Sequence, residues 1–137
     1  MRLAMLLTVV VMAGCAEIPR DPYWAAEGAF QTLHAIDVLQ TINGPANDPC
    51  FREVGFLTQD IIGNKPDTGE VLAWGVAIGA GHFAVSKLLD HYDAKPWMKA
   101  TWQSVSIAHK GYVVGNNHRI GVRPWGDNVS DCNTSLR

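Results

Sequence analysis

Charged side chains are scarce in this sequence. Asp, Glu, Lys and Arg make up 18% of its 137 residues, and 13 acids stand against 11 bases. Phosphate backbones are bound by clustered basic faces, so this balance excludes nucleic acid as a partner. Familiar catalytic signatures are missing too: there is no G-x-S-x-G elbow, no H-E-x-x-H, no P-loop and no dinucleotide-binding glycine fingerprint. Cysteine is limited to three residues, none in a C-x-x-C redox pair. These absences point away from an enzyme, and they imply no cofactor and no metal. Apolar residues, by contrast, reach 47% of the total, too many for a disordered chain. The length supports one domain, and the weak charge points toward a membrane.

The N-terminus reads as an export address. Met1-Arg2 is a short basic start, and Leu3–Ala13 is an apolar run of 11 residues. A spanning helix needs roughly 20 apolar residues, so this run has the length of a signal-peptide core instead. Ala13-Gly14 leads into Cys15, which resembles the bacterial lipobox, with Met12 where that pattern has Leu. Residues 1–14 are expected to be a lipoprotein signal peptide, 15–20 a tether starting at lipidated Cys15, and 21–137 a single helical domain. An ordinary signal peptide with an incidental Cys is the alternative. Ala16 stands where an Asp tends to retain a Gram-negative lipoprotein in the inner membrane. The expected location is therefore the bacterial envelope, on the outer membrane facing the periplasm. Expected partners are the lipid membrane, through Cys15, and an envelope protein. Cys50 and Cys132 remain as an even pair in an exported chain, which suggests a disulfide. Closing so long a loop contributes roughly 4 kcal/mol. Two free thiols are the alternative.

Asp21-Pro22 has the chemistry of a helix cap and first helical residue. The spacing predicts a helix over 23–42, stopped by Asn43-Gly44-Pro45. A polar stripe through Glu27, Gln31, His34, Asp37 and Thr41 reads as its solvated face. A long connection, 46–66, has room for a short helical turn. Asp67 and Glu70 have capping-box spacing, and 71–89 is the most apolar stretch of the mature chain. Its Gly75 and Gly79 would let another helix backbone approach closely. This helix either crosses a bilayer marginally or lies at the centre of a compact bundle, and the lipobox favours the second. Pro96 opens a third helix over about 97–115, with Met98, Trp102, Val105, His109 and Tyr112 on one apolar stripe. The expected fold is all-α: a small three-helix bundle with a long tied loop and an irregular C-terminal tail.

Histidine supplies the remaining candidates for chemistry. His34 and Asp37 sit three apart on the first helix, His82 lies inside the apolar second helix and His109 on the third. Together they could form a metal site or an Asp-oriented base, which keeps a small membrane-associated hydrolase or metal-binding protein open. The simpler reading makes His34 and Asp37 part of a solvated stripe, and His82 and His109 core histidines with hydrogen-bonded rings. Asn116, Asn117, His118 and Arg119 form a polar stretch that is either a helix C-terminal turn or a recognition loop.

One combination of motifs is familiar. Asp37 and Thr41 lie four apart, Gly63 and Pro66 follow in the loop, and His82 centres the apolar helix. Trp102-Gln103 then leads to Gly115-Asn116-Asn117 and Ile120-Gly121. Over roughly 34–123 the chain resembles a group of small uncharacterised helical proteins of bacteria and their phages. Gln59-Asp60 stands where that group has Asn-Pro. The resemblance implies a helical, membrane-associated fold and no reaction. A phage-encoded envelope protein acting at lysis or in exclusion of other phages fits that setting.

Overall fold

The structure is a computed structural model and describes residues 21–129. The expected signal peptide and tether, Cys15 and Cys132 lie outside the described residues. Four α-helices follow one another: α1 Pro22–Thr41, α2 Phe56–Ile62, α3 Thr68–His91 and α4 Pro96–Arg119. No strand occurs among the described residues. Three long helices agree with the expected all-α class, and the short α2 occupies the connection.

Each long helix starts where side-chain chemistry starts it. The Asp21 carboxylate accepts from Tyr23 N–H and Pro22 fills the first turn. At α3 the Asp67 and Glu70 side chains exchange bonds with each other's backbone N–H at 2.9 Å each, a complete capping box. Pro96 begins α4. The end of α1 differs from expectation. Asn43-Gly44-Pro45 does not stop the chain but carries it through a π-helical turn, Ile42–Ala46. Gly44 is needed there because a Cβ would meet Val122 Cγ1 at 2.8 Å. The segment after α4 returns to this turn: Asn43 Nδ2 donates to the Arg123 and Gly126 carbonyls, and Asn128 Nδ2 to Asn43 O and Asp48 Oδ2. Gly121 closes the corner at φ +95°, with Val129 N–H donating to its carbonyl.

The central helix is α1, which packs on both α3 and α4. The expectation that α3 would be the buried centre is corrected: only 22% of its most apolar window is buried. Gly75 and Gly79 do what their spacing suggested. They face α1, where a Cβ at Gly75 would lie 2.7 Å from Val38 Cγ2 and one at Gly79 3.1 Å from Gln31 Oε1. Below them His82 and Ser86 continue the buried face of α3.

Around the rest of its circumference α3 exposes Leu72, Val76, Phe83, Val85 and Leu88, Val76 by 70%. The one charge among them, Lys87, lays its ammonium 4.3 Å from the centre of the Trp24 ring. On α4 the expected core stripe divides, with Trp102 alone of its aromatic members packing on His82. Met98, Val105 and Tyr112 of the expected core stripe are exposed, whereas Gln103 is buried and Lys110 half-buried. The polar stripe of α1, expected to be solvated, instead points inward: Glu27, His34 and Thr41 are buried. The polar stripe of α1 thus faces inward where solvent was expected, while Met98, Val105 and Tyr112 of α4 face outward where the core was expected.

Candidate functional site

The inward polar stripe of α1 divides into two parts. At the N-terminal end the Glu27 carboxylate, 3% exposed, is the hub of a buried network. Its Oε1 accepts from Gln31 Nε2 at 2.7 Å, and its Oε2 from Ser86 Oγ at 2.5 Å and Gln103 Nε2 at 3.1 Å. His82 Nδ1 lies 3.0 Å from Oε2 and donates to the same carboxylate. Trp102 Nε1 and Gln103 Nε2 both donate to Ser86 Oγ, and Tyr23 Oη donates to the Ser86 carbonyl. Burial alone would push the Glu27 carboxyl up, but donation from Gln31, Ser86, Gln103 and His82 outweighs it and holds the group below the ordinary Glu value. The His82 ring is sandwiched between Phe30, 3.5 Å between centroids, and Trp102, 4.5 Å.

Toward the C-terminal end of α1 the same stripe opens onto a cleft of about 760 Å³. Its walls come from α1, α3, α4 and the loop 51–55, with Phe30, Val38, Trp74, Ile78 and Val113 supplying apolar surface. Asp37 Oδ2 accepts from Lys110 Nζ at 2.5 Å, and both side chains are 15% exposed. Asn117 Nδ2 reaches Asp37 Oδ1 and Gln40 Oε1. Glu53, on the loop, has its carboxyl raised, chiefly by burial and also by the Asp37 charge, against the lowering effect of the Gly55 N–H. His34 Nε2 donates to the Gly75 carbonyl at 2.8 Å. Burial, with no carboxylate bonded to the ring, depresses the His34 pKa.

The sequence-derived candidates fall out as follows. His34, Asp37, His82 and His109 all line the cleft. His34 and His82 both stack on Phe30. Asp37, however, is held by Lys110 and Asn117 and makes no hydrogen bond to His34. The reading of His82 as a hydrogen-bonded core histidine agrees with the structure. His109 is exposed at the cleft rather than placed in the core. Among the described residues no three His, Cys, Asp or Glu side chains gather as a metal would require. Ser86 Oγ is spent on Glu27 and receives from Trp102 and Gln103.

Asn116, Asn117, His118 and Arg119 are not a loop: they form the last turn of α4. Asn117 turns inward to Asp37, Arg119 donates to Asn116 Oδ1, and Arg123 pairs with the His118 ring. Cys50 sits half-buried in the connection, its N–H donating to Asp48 Oδ1. The pairing expected for it with Cys132 involves a residue outside the described ones. Sequence reasoning missed Glu27, Ser86, Gln103 and Lys110 as members of the interior. The available signal was polar residues at four-residue spacing on otherwise apolar helices: Glu27 with Gln31, and His82 with Ser86.

Comparison with known proteins leaves this geometry standing alone: no family model, curated protein or solved structure matches the chain.

Proposed function

We propose that this chain is a cell-envelope lipoprotein with a non-enzymatic binding role. Cys15 anchors it, the outer face of α3 lies against acyl chains, and the cleft beside His34 is where it binds. One observation carries the reading, the inverted polarity of the bundle. Buried positions on α1, α3 and α4 include Glu27, His34, Gln40, His82, Ser86 and Gln103, while Leu72, Val76, Phe83, Val85 and Leu88 point outward. In water this arrangement leaves large apolar side chains exposed around most of α3, and exposed apolar surface marks an interaction region. Lipid is favoured as the neighbour because α3 is 24 residues long and is the helix, among those described, that is long and apolar enough to cross a membrane. Lys87 fits the same setting, since a long basic side chain can cover apolar surface with its stem and hold its charge at an aromatic ring. The disulfide between Cys50 and Cys132 would fasten the tail to the connection that already holds Asn128.

The hydrolase or metal-binding alternative is not favoured by these contacts: Asp37 is paired with Lys110, and the Ser86 hydroxyl donates to Glu27 and not to a histidine. The test separates anchor from face. Cys15→Ser should abolish palmitate labelling, yet the unlipidated protein should still float with phosphatidylcholine vesicles on a density gradient. Adding Val76→Asp and Val85→Asp should leave it at the bottom. A Cys15→Ser protein that does not float by itself would refute the lipid-facing role of α3.

A further inference from the structure

We infer that the end of the bundle where α1 begins and α3 turns into α4 is seated among zwitterionic phospholipid headgroups. The inference rests on the lipid contact proposed for α3 and adds where along the bundle the bilayer surface lies.

Charge is absent along α3 and returns at this end. No Asp, Glu, Lys or Arg lies between Glu70 and Lys87, an uncharged length of about 24 Å at the helical rise per residue. From Lys87 onward the chain changes character. Asp90, Asp93, Lys95 and Lys99 follow it through the end of α3, the turn and the start of α4. The start of α1 lies against them, since Tyr23 Oη donates to the Ser86 carbonyl and Lys99 Nζ lies 5.3 Å from the centre of the Tyr23 ring.

Aromatic rings gather at the same level. Lys87 Nζ lies 4.3 Å from the centre of the Trp24 ring and 5.7 Å from that of Phe83. Tyr92 and Trp97 flank the turn, 74% and 64% exposed. Indole and phenol rings have an apolar body and a hydrogen-bonding tip, and they concentrate where acyl chains meet headgroups. A lysine that lays its stem on apolar surface and keeps its ammonium in the polar layer belongs to the same boundary.

The charge balance identifies the headgroup. Lys87, Lys95 and Lys99 stand against Asp21, Asp90 and Asp93, and Lys99 pairs with Asp90 at 2.7 Å. Such an end has no excess of positive charge for an anionic surface, and it matches headgroups that carry both signs. The anchor position agrees. Cys15 lies six residues before Asp21, and a chain of that length spans at most about 20 Å. An acyl anchor there therefore enters the bilayer near this end. Trp125 is exposed as well, by 71%, but it stands at the opposite end of α1, on the segment that returns to Asn43.

The test measures the affinity of the unlipidated Cys15→Ser protein for phosphatidylcholine vesicles by flotation at increasing lipid concentration. Tyr92→Ala combined with Trp97→Ala should weaken binding at least tenfold and leave thermal unfolding unchanged, since both side chains are exposed. Trp125→Ala should change the affinity less than twofold. Replacing a third of the lipid with phosphatidylglycerol should also change it less than twofold. In the parent, the 5-fluorotryptophan resonance that Trp97→Ala removes should broaden with a gadolinium chelate carried on lipid headgroups, and that of Trp125 should not. Unchanged affinity in the double variant, or an equal loss from Trp125→Ala, would overturn the seat. If Val76→Asp with Val85→Asp still abolishes flotation in that case, the lipid contact of α3 stands without it. The reverse pattern, loss from the ring variants alone, would keep the seat and remove the α3 contact. A tenfold gain with phosphatidylglycerol would overturn the zwitterionic assignment.

Discussion

The two halves of the inward face of α1 use the same residue types to opposite ends. Around Glu27 the carboxylate meets donors from Gln31, His82, Ser86 and Gln103. One turn past Phe30 the stripe borders an open cleft, where Asp37 is held by Lys110 and Asn117. A polar network whose central acceptor is fully engaged rigidifies a core, while polar side chains that line a cavity are suited to recognition. The contrast assigns stability to the Glu27 half and binding to the His34 half.

The contrast breaks most visibly at Glu27. Glu27→Ala would strand Ser86, Gln103 and His82 around a missing carboxylate. The expected cost is about 3–5 kcal/mol, the usual size for removing one partner from a buried charged cluster. Thermal unfolding in detergent checks it; a loss under about 0.5 kcal/mol, the range of ordinary surface changes, would mean the network is not structural.

Gly79→Leu comes next. The side chain would enter the space held by Gln31 Oε1 and His34 Cδ2, and overpacking of this kind costs about 1–3 kcal/mol. Because Gly79 sits between the two halves, the variant should lose protease resistance, and unchanged resistance would contradict the close approach of α1 and α3.

Asp37→Asn keeps an oxygen toward Asn117 and removes the charge facing Lys110. About 1.5 kcal/mol is expected, in the range for hydrogen bonds to charged groups. The variant should stay folded and normally located, which chemical denaturation and fractionation would show. A loss of several kcal/mol would move Asp37 into the structural half.

The smallest effect is a dependence on pH. His34 has its folded pKa below the unfolded value of 6.5, so the unfolded chain takes up the proton first. Stability contributed by the neutral ring is present above pH 6.5 and declines as pH falls below it. Glu27, with its folded pKa below 4.5, adds a second loss only as pH drops under that value. His34→Phe should flatten the unfolding free energy between pH 7.5 and 5.5 while leaving the decline below pH 4.5. An unchanged slope in the upper window would contradict the burial of a neutral His34.

How much of this was legible in the sequence depended on whether the signal was local. Asp21-Pro22, Asp67 with Glu70, and Pro96 each fix a helix start through atoms within one turn, and all were readable. Gly75 and Gly79 were readable as a close approach because their lack of a side chain has no other use there. The end of α4 was missed, since Gly115 has open space around it and Asn117 finds partners on α1, so the helix continues to Arg119. The direction of the stripes was missed for a deeper reason. Periodicity shows which residues share a face, but it takes the surrounding medium to say which face turns inward. Assuming water outside placed Glu27 and His34 on the surface and Val105, His109 and Tyr112 in the core, the reverse of their positions.

The central claim is therefore the inverted bundle in contact with lipid, and photolabelling tests it most directly. The full lipidated protein is reconstituted in phospholipid vesicles, labelled with a lipid-soluble carbene precursor and mapped by mass spectrometry. The account predicts adducts on Leu72, Val76, Phe83 and Leu88 and none on Gly75, Gly79, His82 or Ser86. A label-free α3, or labelling on its Gly75–His82 face, would contradict it.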